Sequence, residues 1–191
     1  MTDEPQYRRE MGVLLGPPFL EGNHAEILVN GDPIFAAMLA GIRRARQTMT
    51  FETYICGSES IGAEFTDALS KRVRARVKVH VLLDWIDGNL GFTGGLGTAD
   101  QWRGNAQDEV HWRDTHFRVV GPVVVQMKAV FIDNWTKATG RVLLGAGYFP
   151  PLVARGGMPA QMFSSSPNCG SASMHLMCLT AITAARHSID L

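Results

Sequence analysis

The apolar residues of this chain recur with a period that changes between helix and strand. Between residues 34 and 45 they lie three or four positions apart, which is typical of a helix, whereas over 49–55 they alternate, which is typical of a strand. The same reasoning predicts strands at 26–29, 49–55, 77–84, 90–93 and 115–120, and helices at 34–45, 60–73 and 124–135. This order favours an α/β fold in which helices cover a sheet.

A stretch of thirteen residues occurs twice. Residues 39–51 and 179–191 align at a constant offset of 140, so that Ile42, for example, corresponds to Ile182. In each copy helical spacing gives way to alternation, which predicts a helix followed by a strand. The repeat therefore predicts one nearly complete unit followed by the N-terminal part of a second, similar unit.

The chain divides into four predicted segments. Residues 1–20 are predicted to be an N-terminal extension, and 21–139 the first unit. Residues 140–160 are rich in glycine and proline, which indicates a linker. Residues 161–191 are the predicted start of the second unit, which we expect to be truncated at Leu191.

Charge and cysteine content narrow the class of protein. The chain has 18 basic and 18 acidic residues, a balance that disfavours a nucleic-acid partner. Cys56, Cys169 and Cys178 show no C-x-x-C spacing, so neither a disulfide framework nor a zinc site is expected. No stretch has the composition of a signal peptide or a membrane span, which predicts a cytoplasmic protein or one peripheral to the inner face of the cell membrane.

Eight short segments occur in the order in which the phospholipase D superfamily has them, and most closely as in bacterial cardiolipin synthases. They are F-E-T-Y-I at 51–55, V-H-V-L-L-D at 79–84, G-F-T-G-G at 91–95, A-D-Q-W at 99–102, W-R-D-T-H at 112–116, G-P-V-V at 121–124, F-S-S-S-P at 163–167 and S-I-D-L at 188–191. Each segment alone is a weak signal, but their shared order makes the resemblance specific. The internal repeat agrees with it, because members of this superfamily consist of two similar halves.

The resemblance implies a fold, an activity and a set of partners. The fold would be a phospholipase D-like mixed sheet flanked by helices, here one half plus the start of the other. The activity would be that of a phosphatidyltransferase, which moves a phosphatidyl group between phosphatidylglycerol-type lipids through a phosphohistidine. Such an enzyme needs no metal or organic cofactor, and its partners would be anionic phospholipids at a membrane surface.

The chain departs from the family pattern at its catalytic signature. No H-x-K-x-x-x-x-D motif occurs in the 191 residues. By resemblance, the strand that ends at Trp85 runs straight into Ile86, as if several dozen residues with the first histidine and lysine were missing there. Asp87 would be the surviving aspartate of that signature, and the second signature would lie beyond Leu191. We therefore expect this chain to be inactive.

His80 is a weaker candidate for the missing nucleophile. It precedes Asp87 by seven residues, which is the histidine-to-aspartate spacing of the signature. Leu82, however, stands where the phosphate-binding lysine is needed, and His80 already matches the family's upstream strand. The spacing is thus better explained as a by-product of the junction.

Other residues of the implied site each have an ordinary alternative. By resemblance Glu52 and Asp114 belong to the site, but either could be a hydrogen-bonded structural carboxylate. Thr93, Gly94 and Gly95 could offer a hydroxyl and backbone N–H groups to a phosphate, or could form a plain glycine turn. Two further functions remain open: a non-catalytic remnant that binds anionic lipid or pairs with an intact copy, and a phosphodiesterase or nuclease of the same superfamily.

A metal site is an alternative interpretation of residues 111–116. His111, Asp114 and His116 form an H-x-x-D-x-H segment in which Asp114 and His116 would share a strand face. Donors on one short segment more often satisfy ordinary hydrogen bonds, which is the interpretation we prefer.

Overall fold

A mixed seven-stranded sheet organises the chain. The computed structural model describes residues 5–53, 57, 60–84, 86–87, 90–165 and 172–189, and for 83, 84, 86 and 87 it describes the backbone. The helices are α1 (Pro5–Leu15), α2 (Gly31–Arg44), α3 (Ser60–Arg74), α4 (Val124–Thr139) and α5 (Ser173–Ala184). The strands are β1 (Leu20–Val29), β2 (Thr48–Glu52), β3 (Lys78–Asp84), β4 (Ile86–Asp87), β5 (Leu90–Gly94), β6 (Thr115–Val120) and β7 (Met158–Ala160). A short 3-10 helix spans Asp100–Trp102.

The strands follow the spatial order β3-β2-β4-β5-β6-β1-β7. β2 and β3 are parallel, whereas the other neighbouring pairs are antiparallel. α3 is the crossover between the two parallel strands, as this connection requires. The predicted fold class, a phospholipase D-like mixed sheet flanked by helices, is confirmed.

One face of the sheet is covered by α2 and α3. Met49 and Phe51 of β2 pack there with Ile34, Ile42 and Phe65 of the two helices. The predicted alternation of β2 and the predicted stripe of α2 are thus both confirmed. Burial of each such side chain stabilises the fold by about 1.5–3 kcal/mol.

The opposite face is covered by α4. Met127 and Val124 of this helix pack against Val119 of β6. Gly91 of β5 allows the close approach, because a Cβ at this position would lie 2.7 Å from the Met127 sulfur. The side chain of Glu52 lies on this face of the sheet, since Asn134 of α4 contacts it.

The N-terminus of α3 is capped from a distance. The hydroxyl and the backbone N–H of Ser60 both donate to the Asp100 carboxylate, at 2.9 and 3.2 Å. The backbone N–H of Ile61 donates to the same carboxylate at 2.9 Å. Asp100 therefore satisfies donors that the first turn of a helix cannot satisfy itself.

Two segments have structure that the sequence patterns did not predict. The N-terminal extension contains α1, which buries Met11 and Leu15. The predicted linker contains β7, which pairs with β1 at the edge of the sheet. Pro159 fits there because an edge strand can do without one of its N–H donors.

α5 aligns with α2 in the internal repeat but has a different environment. Ile42 of α2 is fully buried, whereas its counterpart Ile182 in α5 is 50% exposed. Leu39 and Leu179 differ in the same way, at 5% and 47%.

Among the described residues, no helix is both long and apolar enough to cross a lipid bilayer.

Candidate functional site

Glu52 ends β2 on the face covered by α4. Its half-buried carboxylate accepts a hydrogen bond from Asn134 Nδ2, at 3.2 Å to Oε1. The strand register places it opposite Asp84 of β3, after a local irregularity between Phe51 and Glu52. The carboxylate therefore lies at the C-terminal end of the two parallel strands.

His80 lies on the same face of the neighbouring strand. It pairs in register with Thr50, two residues before Glu52. Its Nε2 is hydrogen-bonded to the Tyr148 hydroxyl at 2.8 Å, and its ring meets that of Trp135 edge-on, with centroids 4.9 Å apart. Tyr148 belongs to the predicted linker, so this segment packs directly on the first unit.

The environment of His80 favours a neutral imidazole. Burial is the main cause that lowers its pKa below the usual value of 6.5, and the positive charge of Lys78 lowers it further. Burial also raises the pKa of the Tyr148 hydroxyl, which keeps it protonated and able to donate to Nε2. A neutral imidazole is the form that can attack phosphorus, but here one of its nitrogens is already engaged.

Sequence reasoning missed a buried lysine on this side of the sheet. Lys128 of α4 is 1% exposed. It lies one turn after Val124 and one turn before Phe131, so it shares their face of the helix. The signal was a cation within the predicted apolar stripe, and it was overlooked because lysines are rarely buried.

The glycine-rich turn contacts Asp114 at the C-terminal end of β5. The backbone N–H of Gly95 donates to Asp114 Oδ1 at 3.3 Å. The carbonyl oxygen of Asp114 accepts a hydrogen bond from the backbone N–H of Asn30, at 2.8 Å. One N–H that was expected to face a phosphate is therefore directed at a carboxylate of the protein. Thr93 lies opposite Phe117 of β6.

His116 completes this second group. It is 5% exposed, and its Nδ1 lies 3.8 Å from Asp114 Oδ1, too far for a hydrogen bond. Burial lowers the pKa of His116, against the opposing effect of the Asp114 carboxylate. Because His111 pairs instead with Asp108, the H-x-x-D-x-H segment does not converge, and the described residues contain no group of three donors placed to hold a metal ion.

The predicted site residues fall into two groups. Glu52 and His80 lie on the face covered by α4. Gly94 and His116 lie opposite each other, and His116 also pairs with Leu28, which belongs to the core on the α2 face. The sheet itself separates the two groups, so the described structure does not bring all the candidates into one cleft.

The predicted junction lies partly outside the described residues. Trp85 and the side chain of Asp87 are not described. The backbone of Ile86 and Asp87 forms β4, which lies between β2 and β5 and pairs with both. The residues after the predicted junction are thus part of the sheet.

The chain is similar to bacterial cardiolipin synthases. It is 24% identical to cardiolipin synthase 1 of Bacillus anthracis over 91% of this chain and 45% of the relative, and 25% identical to cardiolipin synthase A of Pseudomonas fluorescens over 95% and 47%. It is 24% identical to a cardiolipin synthase of Geobacillus kaustophilus over 90% and 44%. The chain is related to the cardiolipin synthases of the phospholipase D superfamily. No protein-family profile matches it.

The lengths of the matches carry further information. This cardiolipin synthase-like chain spans about half the length of the curated relatives it matches. The match to the Bacillus anthracis protein extends over 228 residues, whereas 91% of this 191-residue chain is only about 174 residues. Several dozen positions of the relative therefore have no counterpart here.

Proposed function

We propose that this chain derives from a cardiolipin synthase-like phosphatidyltransferase and does not itself catalyse phosphatidyl transfer. The observation that carries the proposal is the combination of this relationship with the absence of any H-x-K-x-x-x-x-D motif from the 191 residues. The length difference in the matches supports a missing segment of the size expected at about residues 85/86.

The chemistry of the parent reaction explains why the motif matters. An imidazole nitrogen attacks phosphorus, and the first alcohol leaves with a proton supplied by a second acid. A second alcohol gives its proton to the conjugate base of that acid and displaces the imidazole, which restores both groups. Cationic groups must hold the non-bridging oxygens throughout, and Leu82 stands where such a group is needed if His80 is the nucleophile.

A transphosphatidylation assay tests the proposal. The purified chain would be incubated with phosphatidylglycerol vesicles, and the formation of cardiolipin and glycerol would be measured beside an active full-length cardiolipin synthase. We expect no turnover. Turnover by the wild-type chain that is lost in His80→Ala would overturn the proposal of inactivity and identify His80 as the nucleophile.

The first alternative is a non-catalytic protein that binds anionic lipid or pairs with an intact copy. Its support is the retention of Glu52, the glycine-rich turn at 93–95 and Asp114. Sedimentation with phosphatidylglycerol vesicles and size-exclusion chromatography with an intact relative test the two forms of it. A phosphodiesterase or nuclease is the second alternative, and the balanced charge of the chain disfavours it.

We also propose that residues 161–191 begin a second phospholipase D-like unit. α5 repeats the apolar stripe of α2, and the exposed Leu179 and Ile182 are the positions that α2 buries against its sheet. A helix with this stripe requires an apolar partner surface. The proposal predicts that a longer chain with a second sheet would bury both residues.

A further inference from the structure

A basic cleft lies at the end of the sheet where the two parallel strands begin. It has a volume of about 610 Å³ and lies between the C-terminal ends of α2 and α3. Its lining residues are Arg43, Arg44, Ala45, Arg46, Arg72, Ala75 and Val77. Four of these seven residues are arginines, which makes the cleft strongly positive in a chain whose net charge is zero.

The charge around the cleft is largely uncompensated, although Lys71 at its edge pairs with Asp67. The segments at 43–46 and 71–78 contain eight of the 18 basic residues of the chain and no acidic residue. Within the part of the chain that the structure describes, none of the four lining arginines forms an ion pair with a carboxylate. Like charges so close together repel each other, so the cleft has a positive potential that an anion would relieve.

Arg72 adds a specific donor. Its Nη1 donates to the carbonyl oxygen of Arg43 at 3.1 Å, which fixes the guanidinium between the two helices. Its Nε is buried and has no hydrogen-bond partner. A buried N–H without an acceptor is costly, so the position of this guanidinium is not explained by contacts within the protein alone.

Arginines also occur at helix C-termini for another reason. There they interact favourably with the helix dipole, and this accounts for Arg43, Arg44 or Arg72 taken singly. It does not account for four arginines that line one cleft without a carboxylate partner, nor for the unpartnered Nε of Arg72. Planar guanidinium groups with several donors suit the geometry of phosphate.

We propose that this cleft binds a phosphate-bearing anion. The site is separate from the one considered above, because β2 begins beside the cleft at Thr48 and reaches Glu52 at its other end. Four residues of extended strand separate the two ends by roughly 13 Å. The proposal therefore stands whether or not the chain derives from a phosphatidyltransferase. The phosphate could belong to a phospholipid headgroup or to a soluble compound.

Calorimetric titration of the full 191-residue chain with inorganic phosphate tests the site. Arg43 and Arg46 are exposed, so the variant Arg43→Gln/Arg46→Gln should fold. The control is Arg141→Gln/Arg155→Gln, which removes the same charge from exposed positions outside the cleft. We expect the cleft variant to bind phosphate at least about tenfold more weakly, and the control to stay within about twofold of wild type. Undetectable binding by wild type, or equal weakening in both variants, would overturn the proposal.

A vesicle experiment distinguishes the two sources of phosphate. The chain would be sedimented with phosphatidylglycerol–phosphatidylcholine vesicles and with phosphatidylcholine vesicles alone. A headgroup ligand is supported if the wild-type chain binds the vesicles that contain phosphatidylglycerol, the cleft variant does not, and free phosphate inhibits the binding. Phosphate binding without vesicle binding supports a soluble ligand. Vesicle binding that the cleft variant retains, together with no phosphate binding, would contradict the site.

Discussion

Gly94 of β5 lies directly opposite His116 of β6, and a Cβ at Gly94 would lie 2.1 Å from His116 Nδ1. No carbon atom that is not bonded to the ring can lie so near its nitrogen, so the absence of a side chain at Gly94 is what allows His116 to be buried here. Their close contact holds the glycine-rich turn beside the segment that contains Asp114.

Gly94→Ala is therefore expected to destabilise the protein. The imidazole must move or the two strands must separate, and overpacking of this kind costs about 1–3 kcal/mol. Urea unfolding measures the change. Gly157→Ala is the matched control, because nothing lies within 4 Å of a Cβ built there, and it should change the free energy of unfolding by less than about 0.5 kcal/mol. Equal stability of the two variants would contradict the close contact.

Asp100→Ala should loosen the start of α3. The change removes the acceptor for the N–H groups of Ser60 and Ile61, and loss of such a cap costs about 1 kcal/mol. The hydrogen bond from Ile61 is the largest cause that lowers the pKa of Asp100. A lowered carboxylate pKa means that this stabilisation is present above the unfolded pKa and is lost as pH falls through the folded value.

Hydrogen exchange of the α3 amides, measured at neutral pH and near pH 3, tests the Asp100 cap. The first turn of α3 should exchange faster in Asp100→Ala than in wild type, and the difference should shrink at acid pH. Asp133→Ala is the control, because Asp133 pairs only with Lys137 on the surface of α4 in the described contacts. Faster exchange throughout the protein, rather than in α3, would point to general destabilisation instead.

The buried histidines should make stability fall in mild acid. Burial lowers the pKa values of His80 and His116 below 6.5, so the unfolded chain takes up protons first as pH decreases. The free energy of unfolding should therefore decrease between pH 7.5 and pH 5.5. One such histidine contributes a slope of at most about 1.4 kcal/mol per pH unit.

Urea midpoints of wild type and His116→Gln across this pH range test the histidine prediction. The variant should lose part of the pH dependence, whatever its absolute stability. His24→Gln is a comparison at a position outside both site groups. Parallel pH profiles of wild type and His116→Gln would show that His116 titrates alike in both states.

Asn23→Ala is expected to be among the more damaging single changes. The Asn23 amide donates to the carbonyl oxygens of Leu20 and Met158, and its Oδ1 accepts from the backbone N–H of Val123 at 2.7 Å. The side chain is 1% exposed, so its removal leaves buried groups unsatisfied, at about 1–3 kcal/mol for each. Thermal unfolding measures the loss. Asn105→Ala, at an exposed position, should be nearly neutral.

Local periodicity was sufficient to predict much of the first unit. The alternation of β2 and the stripe of α2 were predicted correctly, because the side chains of Met49, Phe51 and Ile42 all meet one core. Glu52 lies on the opposite face of β2 from Phe51, as the predicted alternation requires. These features depend only on spacing along the chain, because the spacing fixes which side chains share a face and that face is buried against a single surface.

Features that depend on distant contacts were not predicted. Asp100 caps α3 across 39 residues, and Tyr148 reaches His80 across 68. The edge strand β7 has only three residues, too few to show a period. The burial of Lys128 likewise depends on how α4 lies over the sheet, which its own sequence does not specify.

The sequence by itself determined the relationship to cardiolipin synthases, the internal repeat and the absence of the catalytic motif, because these are properties of residue order. Only the tertiary structure decided that Glu52 and His80 lie on one face of the sheet while Gly94 and His116 lie on the other. It also brought the basic segments at 43–46 and 71–78 together as one cleft. The physical reason is that strand pairing and helix packing fix which face and which end of the sheet each residue occupies.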